Sequence, residues 1–73
     1  MNINMVSVKS SNIARIGYNA GTMELHVEFK SGATHVYSGV PRAKYAGLLA
    51  AKSVGSYFHA HIRDKHPQRK IGK

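Results

Sequence analysis

Lys52, Ser56, His59, Arg63 and His66 recur at steps of four, three, four and three, a spacing that sets side chains along one side of a helix. Such a stripe suits a polyanion: ammonium and guanidinium groups neutralise phosphates, and a guanidinium such as that of Arg63 pairs with one bidentately. Lys65, Arg69, Lys70 and Lys73 follow, so the last fifteen residues carry five Lys or Arg against one acid. Arg42 and Lys44 extend the patch, and Tyr37 and Tyr57 are candidates to stack on bases beside it. The competing reading is a solvated basic face ending in a frayed tail.

Five histidines raise the question of metal binding and catalysis. His59 and His61 stand two apart, which on a helix turns them about 200° from each other, and no cysteine is present to complete a zinc site. No metal and no cofactor is expected. Acid–base cleavage of RNA needs a base, an acid and a cation at one phosphate, and no sequence feature brings two histidines together. With Glu24, Glu28 and Asp64 as the carboxylates, glycosidase and magnesium-nuclease chemistry lack their parts. The expectation is a binding module and not an enzyme.

Charge sets the class of partner. Eleven Lys and Arg face three acids in 73 residues, a formal charge of +8, and a field of that sign attracts polyanions whatever the fold. Nucleic acid bound through phosphate contacts, RNA ahead of DNA, is the leading expectation. The alternative is an acidic protein, with the chain acting as a phage or bacterial accessory factor. No stretch reaches the ~18 apolar residues of a membrane span, and the N-terminus lacks a signal pattern, so a cytoplasmic location without membrane contact is expected. One domain fits this length, burying only about 60% of its unfolded surface, with residues 1–10 and 67–73 read as flexible flanks.

Three strands and two helices must position these groups. In "NIARIGY" Ala14, Ile16 and Tyr18 share one strand face and Ile13 and Arg15 the other; "NAG" follows as a turn, with Asn19 and Gly21 suited to left-handed angles. Met23, Leu25, Val27 and Phe29 alternate with Glu24, His26 and Glu28, the period of a half-buried strand. "KSG" turns into "ATHVY", a third, antiparallel strand. Pro41 opens a helix on which Tyr45, Leu48 and Leu49 recur at helical spacing. Gly47 weakens that helix by about 1 kcal/mol relative to alanine, which predicts a close packing contact. Ser53 caps a second helix whose apolar side is Val54, Tyr57, Phe58, His61 and Ile62, ending before Pro67. The fold class is α+β, a three-stranded antiparallel sheet followed by two helices packed on one face.

The order "IGY", "LHVEF", "SGATHVYSGVP", "AAKSVGSYFHAHIR" resembles the KTSC domain, a short module named for the C-terminus of some lysyl-tRNA synthetases and also found as stand-alone proteins. The resemblance runs from about Ser11 to Ile71 and implies RNA contact from the synthetase context. The family's central Tyr-x-Tyr pair is represented here by His35 and Tyr37. Two hairpin registers are open to that pair. A three-residue loop Lys30-Ser31-Gly32 with a left-handed Gly32 sets Val27 opposite His35 and Leu25 opposite Tyr37, facing the core. A two-residue Ser31-Gly32 loop puts both on the wet face. Gly as third loop residue favours the inward register.

Overall fold

A computed structural model describes residues 5–71. Five strands form one antiparallel meander in the order of the chain, and the two helices are inserted before the last strand. The strands are β1 (Val6–Ser7), β2 (Ile13–Asn19), β3 (Glu24–Phe29), β4 (Thr34–Tyr37) and β5 (Gln68–Lys70); the helices are α1 (Arg42–Ala50) and α2 (Val54–Phe58), the latter continued by a π-helical stretch, His59–Arg63. The α+β class holds, but the sheet has five strands and not three. The extra two come from the segments expected as flanks: β1 pairs with β2, and β5 pairs with β4. β1 is two exposed residues and β5, Gln-Arg-Lys, carries no apolar side chain, so backbone pairing to an existing edge supplies what side-chain patterning does not.

The inward hairpin register is the one adopted. Val27 pairs with His35 and Leu25 with Tyr37, while the Phe29 amide donates to the Ala33 carbonyl at 2.8 Å. Gly32 closes the loop at φ 101°, an angle open to a residue without Cβ. In the β2–β3 turn the left-handed residue is Met23, at φ 57°, where Asn19 and Gly21 were expected. Asn19 contributes differently, its Oδ1 accepting from the Gly21 amide at 3.0 Å, an Asx turn.

One face of the sheet and both helices enclose the core, built from Ile13, Ile16, Leu25, Val27, Tyr37, Val40, Leu48, Val54, Phe58 and Ile62. Ile13 joins Ile16 on this face because the register shifts between Ile13 and Arg15. A bulge there gives β2 one extra residue and reverses the expected facing of Ile13. Tyr18 donates to the Val40 carbonyl at 2.5 Å and stacks on Tyr45 at 5.3 Å, which fastens α1 to the sheet. On α1, Leu48 is buried while Leu49 is 46% exposed, so its apolar stripe is narrower than the sequence pattern. On the sheet face turned from the helices, Arg15 pairs with Glu28 and Arg69 with Glu24, flanking His26 and the buried Val36.

Candidate nucleic-acid interface

Two adjoining clefts lie where α2 meets the β3–β4 turn and the segment before β2. The first is polar, lined by Lys9, Lys30 and Lys52, by the hydroxyl residues Ser10, Ser11, Ser53 and Ser56, and by His59. Local chemistry shapes its walls. Ser53 accepts from the Ser56 amide at 3.3 Å as the cap of α2, which holds Lys52 just outside the helix. Ser10 accepts from the Asn12 and Ile13 amides, both at 3.3 Å, and fixes the chain as it enters β2. The second cleft, about 500 Å³, is lined by aromatic rings together with Lys30, His59 and Arg63.

Helical spacing brings only part of the expected stripe together. Lys52, Ser56 and His59 do share the polar cleft, and Arg63 Nη1 lies 3.0 Å from His59 Nδ1. The helix then ends, its π-helical last turn stopping at Arg63 and residues 64–66 continuing as a turn, so helical spacing no longer applies. His66 consequently turns away, to a contact of 2.9 Å with Lys44 Nζ. Lys44 also donates to the His61 carbonyl at 2.8 Å, so it ties α1 to the C-terminal segment rather than extending the patch. Desolvation, followed by the nearby Lys44 charge, holds the His66 imidazole below its ordinary range.

The remaining candidates are dispersed. Arg69 bonds Glu24 at 3.1 Å on the far face of the sheet, where that ion pair engages its guanidinium. Lys70 stands opposite His35 on the edge strand β5. Arg42 and Lys65 are exposed but line neither cleft. Tyr37 is 2% exposed, so its role as a displayed stacking ring is withdrawn; its ring packs edge-on against Phe58 at 5.1 Å, and burial raises the phenol pKa. Tyr57 is also engaged, against His61 at 4.4 Å and over Gly47.

Lys9 and Lys30 were missed from the sequence because one lies in a presumed flank and the other in a hairpin turn. Neither has periodicity to mark its direction. That His35 and His59 line one cleft beside Arg63 was missed as well, since it depends on how the helices sit against the end of β4. Among the described residues, no three His, Asp or Glu side chains converge as a metal site, and no helix is long and apolar enough to cross a membrane.

A five-stranded meander carrying two short helices, with a lysine- and serine-lined cleft at their junction, defines a small basic α+β module. The KTSC domain family model matches residues 9–66, and the chain belongs to that family. A crystal structure of a KTSC domain protein from Yersinia pestis superposes with a TM-score of 0.93 at 34% identity, covering 97% of this chain and 100% of that one. A protein of Stutzerimonas stutzeri is 36% identical over 61 residues, 84% of this chain and 86% of its own length. One from Tsukamurella paurometabola is 34% identical over 61 residues, 84% of this chain and 91% of its own.

Proposed function

We propose that this chain is a non-catalytic, nucleic-acid-binding module that grips the phosphate backbone at the junction of α2 and the sheet. The observation that carries the reading is the gathering of Lys9, Lys30 and Lys52 in one serine-lined cleft. Among the described residues none of the three, nor Arg63 beside them, has a carboxylate at ion-pair distance; Glu24 and Glu28 are taken by Arg69 and Arg15. Like charges held close together repel unless an anion joins them, so this cleft favours an anionic occupant. Backbone contact of this kind positions a strand without reading its sequence, and little base specificity follows. RNA is placed ahead of DNA on the sequence's resemblance to a module appended to some lysyl-tRNA synthetases.

Salt dependence of binding is the test. Four cations on a single strand give a slope of log affinity against log salt of roughly −3, and Lys52→Ala makes it shallower by about 0.7. An acidic protein retained from cells, with no affinity for pooled RNA or DNA at low salt, would displace this reading.

A further inference from the structure

The polar cleft continues into the ring-lined one. Ser11, Asn12, Lys30, Gly55 and His59 border both, so the two form a single groove whose surface changes from ammonium and hydroxyl groups to aromatic rings. Tyr37 and Phe58 make the floor, each 2% exposed. Phe29 and His35 stand half-buried above it, His35 edge-on to Phe29 at 5.4 Å and stacked on Tyr37 at 6.4 Å. Exposed His59 closes the other side, 5.9 Å from Phe58.

Both imidazoles are oriented by neighbours, in complementary senses. Gln68 Oε1 only accepts, so His35 Nδ1–H donates to it, which fixes the orientation of the ring. The Arg63 guanidinium only donates, so His59 Nδ1 accepts from it and Nε2–H is left as a donor. A free phosphate has no use for the rings, and an apolar side chain has no use for Arg63 and Lys30. A planar base joined to a phosphate uses both, and about 500 Å³ is within the range of pockets that hold small ligands.

We propose that the ring-lined end of the groove seats one unpaired nucleotide. Its base lies among Phe29, His35 and His59, its phosphate meets Arg63 and Lys30, and the lysine-rich end carries the adjoining backbone. This rests on the phosphate-binding reading above and adds selection for single strands, because a base inside a duplex has both faces covered and cannot enter the cleft.

The experiment compares a labelled ten-nucleotide oligoadenylate with an RNA duplex of the same length by fluorescence anisotropy at low salt. The wild-type chain binds the single strand more tightly. His35→Ala weakens oligoadenylate binding by about fivefold to a hundredfold and leaves duplex binding unchanged; His59→Ala, which borders both ends of the groove, weakens the single strand more than the duplex, whereas Lys52→Ala weakens both alike. Should His35→Ala fail to fold, His59→Ala decides, since its side chain is exposed. Equal affinity for strand and duplex, or oligoadenylate binding indifferent to a folded histidine variant, overturns the nucleotide seat and leaves phosphate binding standing. No binding to either polymer overturns both.

Discussion

His26 lies on the sheet face turned from the helices with its Nε2 buried and, among the described residues, without a hydrogen-bond partner. Desolvation holds the imidazole below its ordinary range of 6.5, with Glu24 opposing and Arg69 reinforcing the shift. The unfolded chain therefore takes up a proton at this site before the native state does, and stability falls as pH drops through about 6.5. His66 acts in the same direction. Glu24 has the opposite kind of group with the same outcome: its carboxyl is lowered first by the Thr22 hydroxyl and further by Arg69, so its contribution is present above its unfolded value and lost on acidification below it. Thermal melts should show a midpoint steady from pH 8 to 7 and declining from 6.5 to 5, with the decline reduced in His26→Asn. A midpoint unchanged between pH 7 and 5 would refute this account. Burial of this kind was only half legible. Strict alternation from Glu24 to Phe29 told which face His26 occupies, but β5, which brings Arg69 beside Val36, left no periodic trace.

At the scale of elements, Gly47 shows what a local irregularity encodes. A Cβ built there would come within 2.1 Å of the Tyr57 hydroxyl oxygen and 2.5 Å of the ring carbon bearing it. Gly47→Ala should therefore destabilise the chain by about 1–3 kcal/mol through overpacking, despite a helix-propensity gain of about 1 kcal/mol. Tyr57→Leu should recover much of that loss in the double variant, a coupling measurable by denaturant titration. Additive effects of the two substitutions would show that the close approach is not the reason for the glycine. The sequence anticipated this contact because glycine inside a helical pattern asks for a reason. It did not anticipate the π-helical stretch, for which "HAHIR" has no proline or glycine signal. The helix ends with that stretch at Arg63, which leaves His66 off the stripe. The bulge in β2 is a similar case: alternation set Ile13 on the face opposite Ile16, and one unpaired residue carried it into the core beside Ile16.

The molecule as a whole divides its charge between two faces. Both ion pairs lie on the sheet face away from the helices, while Lys9, Lys30 and Lys52 gather near the start of α2 without acids. Net charge was legible in composition; its division depends on strand register. The order of the strands has a kinetic consequence. β2, β3 and β4 meet through short turns, but β5 reaches β4 only after both helices, and its side-chain bonds span 33 residues from His35 to Gln68 and 45 from Glu24 to Arg69. Closing so long a loop is entropically slower to repay than a hairpin, which predicts that β5 docks late in folding, after the barrier is crossed. Removing both bonds with Gln68→Ala and Arg69→Ala should lower the stability measured by denaturant titration. In stopped-flow experiments nearly all of that should appear as faster unfolding, with the refolding rate little changed; slowed refolding would place β5 in the nucleus instead. The expected role of the C-terminal strand is thus to set how long the native state persists rather than how quickly it is reached.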